Sequence, residues 1–163
     1  MGTSDVSPST SKPTAAWFRA AYPRLHRIAC VTAPADVEPD DLVQEALVRL
    51  LRRAPGTVEQ PEAYAAATIV NLASNERRSF LRRRRAIARV AVDAEPVADV
   101  YPSDLTDLDV LSPRARAVLY LHDVEGRSFD QVATLVGMNA VNSRKVAERA
   151  RAAIHANLEG ERL

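Results

Sequence analysis

Residues 38–53 carry the feature that most constrains the fold, a run of apolar side chains with the spacing of one helical face. Only a helix with 3.6 residues per turn brings these positions together. They are Leu42, Val43, Ala46, Leu47, Leu50 and Leu51. Pro39 suits the first turn, where its missing N–H is not needed. The stretch predicts an amphipathic helix, and because period-two alternation occurs nowhere in the chain, we expect an all-α fold without a sheet.

The opposite face of this helix carries Asp41, Gln44 and Glu45, which are spaced i, i+3 and i+4. On a helix these side chains form one compact patch of hydrogen-bond acceptors. Taken alone, such a patch is more typical of a solvated face. Taken with the features below, it is predicted to be a binding surface.

Charge is distributed in two opposed blocks, although the net charge is only +1. Residues 71–90 contain seven arginines and one acid, whereas residues 91–111 contain six acids and no base. A dense basic block repels itself unless anions approach, and a phosphate backbone supplies them. The pattern predicts a nucleic-acid face followed by an acidic connector.

The arginine block ends a long helix expected from Pro61 onward, after a loop at 54–60. Asn71, Asn75 and Arg78 form a polar stripe on it that leads to Arg82, and Tyr64 offers a ring on which an unstacked base can rest. The alternatives are a solvated basic helix end and a core position for Tyr64.

Residues 128–154 have the pattern of a helix-turn-helix. Ser128 is placed to cap one helix, Ala133 is small enough for a close helix crossing, and Gly137 lies in the turn. The last helix would enter a major groove by its N-terminal end. Exposed candidates for base or phosphate contacts are Asn139, Asn142, Arg144, Lys145 and Arg149. The alternative is a three-helix bundle with a solvated last helix.

The remaining features bound the organisation of the chain. We expect a disordered tail at 1–13, helical domains at 14–90 and 109–160, and an acidic linker at 91–108 between them. Pro23 is expected to kink or divide the first helix. No apolar run is long enough to span a membrane and no signal peptide is recognised, which favours a cytoplasmic protein. Cys30 is the single cysteine, and no glycine-rich phosphate loop occurs. We therefore expect no enzyme, no cofactor and no metal site.

Several of these motifs together resemble the extracytoplasmic-function (group IV) sigma factors, the smallest bacterial promoter-recognition subunits. The resemblance covers residues 16–158 in the order and spacing of the family. Its motifs are Asp40-Asp41-Leu42-Val43-Gln44-Glu45, the stretch from Tyr64 to the arginine run, Leu111-Ser112-Pro113-Arg114-Ala115-Arg116-Ala117-Val118, Glu125-Gly126-Arg127-Ser128-Phe129, and Ala133 to Gly137.

The resemblance implies a region 2 domain at 14–90 and a region 4 domain at 109–160. By that analogy Asp41, Gln44 and Glu45 dock on the coiled coil of the largest subunit of core RNA polymerase. Tyr64, Asn71, Asn75, Arg78 and Arg82 would contact the −10 element, with the 54–60 loop holding a flipped base. The last helix would read the −35 element, the acidic linker would thread toward the active-site channel, and an anti-sigma protein is a possible partner.

The sequence departs from the family pattern at four positions. Tyr64 stands where the family usually has Trp, Asn75 replaces an Asp, and Val146 replaces an Arg. Ser143 falls where an apolar residue is expected, and an unpaired buried hydroxyl costs roughly 1–3 kcal/mol. We therefore expect a rotated last helix, or one that buries Val141 instead.

Two other functions remain open at this point. One is a sigma-like decoy that binds an anti-sigma protein and reads no promoter, which the altered last helix suggests. The other is an ordinary helix-turn-helix repressor, which would leave the acceptor patch and the acidic linker unexplained.

Overall fold

A computed structural model describes residues 13–54, 57–90 and 110–160, with side chains given up to residue 86 in the second range. Every regular element in these residues is helical, which confirms the expected fold class. The helices are α1 (Ala15–Thr32), α2 (Pro39–Leu51), α3 (Pro61–Val90), α4 (Pro113–Leu119), α5 (Phe129–Val136) and α6 (Ala140–Gly160). The tail before Pro13, the Pro55-Gly56 pair and the acidic linker lie outside the described residues.

Helix α1 begins after Thr14, whose hydroxyl accepts a hydrogen bond from the N–H of Trp17. It runs without interruption through Pro23, so the expected division of this helix is wrong. Leu25 and Ile28 beyond the proline are buried with Ala21 before it. Packing of this continuous apolar face outweighs the loss of one backbone bond, because tertiary contacts supply most helix stability.

Helix α2 occupies the stretch whose apolar spacing predicted it, and Pro39 is its first residue. Leu42, Val43 and Leu50 are buried as expected, but Leu51 is 44% exposed. Its assignment to the buried face was wrong. About two and a half turns separate Leu42 from Leu51, which places the two residues on opposite sides of the helix.

Helix α3 lies at the centre of the fold, and its first half supplies small side chains to the core. Ala65, Ala66, Ile69, Val70 and Ala73 are completely buried. Alanine at these positions lets neighbouring helices approach closely, and α1, α2, α4 and α5 all pack against α3. One buried cluster therefore contains residues from both halves of the chain.

Helix α4 begins after Ser112, whose hydroxyl accepts from the N–H of Ala115, and continues directly into a π-helical segment, Tyr120–Val124. Gly126, with φ of +67°, follows this segment. The helical stretch thus ends at Val124.

The next two helices form the predicted helix-turn-helix. Ser128 and Gln131 cap α5 reciprocally through side chain and backbone, which is a capping box. Gly137 ends α5 with φ of +69°, a left-handed conformation that costs glycine little. Val132, Val136 and Ala133 are buried, as the motif requires.

Helix α6 buries Ser143 completely and leaves Val141 59% exposed. Both expectations, a rotated helix and one that buries Val141 instead, were therefore wrong. The Ser143 hydroxyl donates to the carbonyl oxygen of Asn139 at 3.2 Å, so it is not left unpaired. The inward side is completed by Ala147 and Ala150, whose small side chains allow close contact.

Arginine side chains join the two halves of the chain. The bonds between the halves run from Arg24 to Glu125 at 3.0 Å, from Arg77 to the carbonyl of Leu111, from Arg114 to Asn71 at 2.8 Å, and from Arg116 to the carbonyls of Thr32 at 3.1 Å and Ala33 at 3.4 Å. Arg24 also bonds within its own half, to Glu62 at 2.6 Å. Only Arg116 among the donors is almost fully buried. In this arrangement the expected domains at 14–90 and 109–160 are in direct contact.

Candidate partner and nucleic-acid interfaces

The acceptor patch lies on the outward side of α2, opposite its buried face. Asp41 and Gln44 are exposed, and no side chain in the described residues bonds to either. Glu45 accepts from Nε of Arg49 at 2.7 Å, one turn further along the helix. The three predicted acceptors therefore share one surface, and two of them are open to a partner.

An apolar strip continues this patch toward the end of α2. Val48 is 38% exposed and Leu51 is 44% exposed, and each follows the acceptors at helical spacing. A partner that contacts the acceptors therefore also covers apolar surface. The sequence contained this strip, but Leu51 was assigned to the core.

The basic end of α3 forms a surface groove of about 510 Å³. Its lining contains Asn75, Arg78 and Arg82, which the sequence singled out, and also Leu81 and Arg85. Arg78 donates to the side-chain oxygen of Asn75 at 2.6 Å. Among the described residues the lining has three guanidinium groups and no acid, an arrangement that attracts phosphate.

Tyr64 is half-buried near the start of α3. Its hydroxyl accepts from Nε of Arg53 at 3.3 Å, and the guanidinium of Arg53 lies 5.4 Å from the ring centroid. One face of the ring is thus covered by a cation. A base that stacks on this face has to displace Arg53.

Asn71 is exposed on α3, but its side-chain oxygen accepts from Arg114 of α4 at 2.8 Å. The structure therefore separates it from the groove residues by engaging it in a contact between the two halves. The sequence had no signal for this bond, because the residues are 43 positions apart.

The predicted residues of α6 lie at and after its N-terminal end. Asn139 caps the helix, because its side-chain oxygen accepts from the N–H of Asn142 at 2.8 Å. The side chains of Asn142, Lys145 and Arg149 are exposed and bond to no described side chain. Arg144 is also exposed, but its guanidinium lies 5.3 Å from the ring centroid of Phe129. Sequence reasoning missed Phe129 as part of this surface.

A second polar cluster joins α1 to the first turn of α2. Asp40 accepts from the Tyr22 hydroxyl at 2.5 Å and lies 3.2 Å from Nε2 of His26. Cys30 Sγ lies 3.6 Å from Nδ1 and 3.8 Å from Nε2 of the same ring. Nearly equal distances place the sulfur beside the ring and not along one N–H direction, so no proton relay is formed. The i, i+4 spacing of His26 and Cys30 was a sequence signal that went unused.

Asp40 and burial both shift pKa values in this cluster. The hydrogen bond to Asp40 raises the pKa of Tyr22 above its usual 10.0, because the phenol is needed as a donor. Burial, followed by the charge of Asp40, raises the pKa of the Cys30 thiol above 9.0. A thiol with a raised pKa is a poor nucleophile at neutral pH.

Across the described ranges, no group of three or more His, Cys, Asp and Glu side chains is arranged to hold a metal ion. Nor is any helix in the described part of the chain both long enough and apolar enough to cross a bilayer.

The fold and these surfaces define an all-α protein with a basic groove on one helix and a helix-turn-helix unit. Residues 17–89 match the family described as sigma-70 region 2, and residues 108–154 match sigma-70 region 4. The chain belongs to the sigma-70 family, in its extracytoplasmic-function group.

Individual relatives agree with this membership. The chain is 30% identical over 158 residues to the RNA polymerase sigma-E factor of Streptomyces avermitilis, which covers 90% of this chain and 86% of the relative. It is 31% identical over 132 residues to the probable ECF RNA polymerase sigma factor SigI of Mycobacterium tuberculosis. That match covers 71% of this chain, but the chain spans only 45% of the length of SigI.

A solved structure shares the fold. It is the sigma factor RpoE of Bartonella quintana, crystallised with the anti-sigma factor NepR. The TM-score is 0.58 at 22% identity, and the match covers 87% of this chain and 94% of the other.

Proposed function

We propose that the chain is a sigma factor that binds core RNA polymerase and directs it to promoters by contacting a −10 and a −35 element. It catalyses no reaction itself, and it acts in the cytoplasm, where the polymerase and its template are. The observation that carries the proposal is the arginine groove of α3, whose described lining contains no acid, on the same chain as the helix-turn-helix.

Polymerase binding is assigned to the outward face of α2. Asp41 and Gln44 have unused acceptor oxygens, and breaking the surface pair of Glu45 with Arg49 costs only about 0.3–0.5 kcal/mol. A basic coiled coil on the largest subunit of the polymerase supplies donors for all three. Val48 and Leu51 add apolar area that such a coiled coil covers.

The −10 element is assigned to α3. Arg78, Arg82 and Arg85 neutralise the backbone of an opened strand, while Asn75 contacts a base edge. Tyr64 stacks on an unpaired base after Arg53 has moved away. The phosphate contacts hold the strand, and the base contacts provide the sequence specificity.

Asn71 can contact a DNA base only if the contact between the two halves of the chain changes. Arg114 occupies the side-chain oxygen of Asn71, so a base that bonds to Asn71 replaces Arg114. We infer that residues 14–90 and 109–160 act as separate modules on DNA, joined by the acidic linker. The two promoter elements are separated along the DNA, and the linker permits that separation.

The −35 element is assigned to α6. Asn142, Arg144, Lys145 and Arg149 are exposed along its first turns, where a recognition helix meets base edges and phosphates. The buried Ser143 bonds to Asn139, so the main reason to regard this helix as degraded no longer applies. Val146, which replaces the usual Arg, is the remaining reason to consider a decoy.

An anti-sigma protein is a further proposed partner. The solved structure that shares this fold contains one bound to the sigma factor RpoE. A protein that covers α2 or the α3 groove would compete directly with the polymerase or with DNA.

Run-off transcription with core polymerase and genomic templates tests the proposal. Discrete transcripts are expected with the full chain, and they should be lost when Asp41 and Glu45 are both replaced by alanine. Asp130→Ala with Glu159→Ala is the matched control, because it removes two exposed acids on α5 and α6. Absence of discrete starts with the unaltered chain would reject a sigma function and leave the decoy. Dimeric binding to a palindrome without polymerase would instead support a repressor.

A further inference from the structure

Phe129 links three elements of the helix-turn-helix through one aromatic stack. Its ring lies 4.0 Å from the ring of His122, with an interplanar angle of 23°. The guanidinium of Arg144 lies 5.3 Å from the centroid of the same ring. His122 belongs to the π-helical segment, Phe129 is the first residue of α5, and Arg144 is on α6.

Each layer of the stack is fixed by a further contact. Nδ1 of His122 lies 2.7 Å from the carbonyl oxygen of Arg127, and because a carbonyl only accepts, this nitrogen carries the proton. The capping box between Ser128 and Gln131 fixes the backbone at Phe129. Phe129 is half-buried and packs against the main core cluster. The ring under Arg144 is therefore a rigid support.

Arg144 differs in this respect from two other cations in the first half of α6. Lys145 and Arg149 are exposed and bond to no described side chain. A long basic side chain in that state loses its rotamer freedom when it binds. A guanidinium held over a ring, as Arg144 is over Phe129, has lost part of that freedom already, while its planar N–H donors remain available.

We propose that Phe129 is a positioning residue that holds Arg144 ready to bond a guanine edge in the −35 duplex. Guanine presents O6 and N7 side by side in the major groove, which matches two parallel N–H groups of arginine. Arg144 is near the N-terminal end of α6, the part of a recognition helix that faces bases. The inference rests on the proposed function, because it requires α6 to enter the groove.

Base-preference profiling tests the proposal. The full chain, assembled with core polymerase, selects from duplexes whose −35 region is randomised. The unaltered chain should prefer guanine about tenfold at one position, since a bidentate arginine contact discriminates by at least that order. Arg144→Ala should abolish this preference and leave the others unchanged.

Variants of Phe129 separate positioning from packing. Phe129→Leu keeps an apolar side chain but removes the aromatic face, and it should reduce the guanine preference about two- to fivefold at the same position only. Phe129→Tyr keeps the face and should retain the preference. Adding Phe129→Leu to Arg144→Ala should change nothing further. If the role of Phe129 is merely structural, Phe129→Leu should instead weaken the base preference at all positions alike, also in the Arg144→Ala background. That result would overturn the proposal.

An NMR measurement on the free chain separates failure of this proposal from failure of the proposed function. Ring currents of Phe129 should shift the side-chain protons of Arg144 upfield, and Phe129→Leu should remove the shift. Absence of the shift overturns positioning whatever the chain does on DNA. A normal shift with a flat profile at every position overturns DNA reading by α6, and this proposal with it. A uniform fall in affinity for Arg144→Ala, with the profile unchanged, assigns Arg144 to phosphate and also overturns the proposal.

Discussion

Replacing Arg116 by alanine tests how the two halves of the chain are held together. Arg116 is 7% exposed on α4, and its Nη2 donates to the carbonyls of Thr32 at 3.1 Å and Ala33 at 3.4 Å. These carbonyls lie at the C-terminal end of α1, where backbone acceptors lack helical partners and the helix dipole favours a cation.

The magnitude follows from the two bonds. A hydrogen bond from a charged donor contributes about 1.5–3 kcal/mol. Because the alanine variant no longer buries a charge, part of the lost hydrogen-bond energy is offset. We expect Arg116→Ala to lower the free energy of unfolding by about 2–4 kcal/mol. For a chain of this size that corresponds to a melting temperature about 4–16 °C lower. Arg116→Lys retains the charge but not the planar fork, and should recover only part of the loss.

Urea unfolding followed by circular dichroism and by Trp17 fluorescence measures the effect. Trp17 is the single tryptophan and lies on α1, so its signal reports the half that Arg116 contacts. Arg114→Ala is the matched control, because this half-buried arginine on the same helix makes one bond to the exposed Asn71 and should cost only about 1 kcal/mol. A loss for Arg116→Ala below 1 kcal/mol, or one equal to that control, would refute the argument.

Other predictions concern turns, caps and ionisation. Gly137→Ala should lower the free energy of unfolding, measured in a thermal melt, by about 1–2 kcal/mol because φ is +69°. Gly126→Ala, with φ of +67° and open space around it, should lower it by the same amount. A much larger loss at Gly137 would contradict a purely conformational origin. Ser128→Ala should cost about 1 kcal/mol through loss of the capping box, and an unchanged melting temperature would contradict it. Ultraviolet titration, taken as the difference from Tyr22→Phe, should show the pKa of Tyr22 above its usual 10.0, and Asp40→Ala should lower that pKa toward the usual value. The stability that this bond adds is present below pH 10 and is lost as pH rises through the raised pKa, so greater stability at high pH would contradict the sign.

The sequence predicted the helices well because their apolar periodicity and end signals are local. Residues 39–51 form α2 as the spacing required, and Ser128 and Gly137 bound α5 as capping chemistry predicts. The errors arose where a short pattern was extended too far or where packing outweighs a local rule. Leu51 directly follows the buried Leu50 but lies on the opposite side of α2 from Leu42, and α1 continues past Pro23.

Contacts between distant residues were not predictable from local patterns. Arginine is normally a surface residue. The burial of Arg116 is explained only by the end of α1, where a backbone carbonyl lies within hydrogen-bonding distance of its guanidinium. The bond from the Ser143 hydroxyl to the carbonyl of Asn139, one turn earlier, is by contrast a local contact that helical spacing allows. Arg114 engages Asn71 across 43 positions.

The candidate sites also divide into parts that local spacing predicts and parts that depend on contacts between distant elements. The acceptor patch on α2 and the arginines on α3 depend on helical spacing alone, and the structure places each set on one surface. The roles of these residues remain predictions. Phe129 became part of the α6 surface only through its contacts with His122 and Arg144, which lie on neighbouring elements.

Direct association with core RNA polymerase tests the central claim. Size-exclusion chromatography at about 0.15 M salt, where surface charges beyond roughly 8 Å are screened, should show the full chain eluting with the polymerase. The double variant of Asp41 and Glu45 to alanine should elute alone, while the control variant of Asp130 and Glu159 should still bind. A full chain that never elutes with the polymerase, or a patch variant that binds as well as the control, would contradict the account.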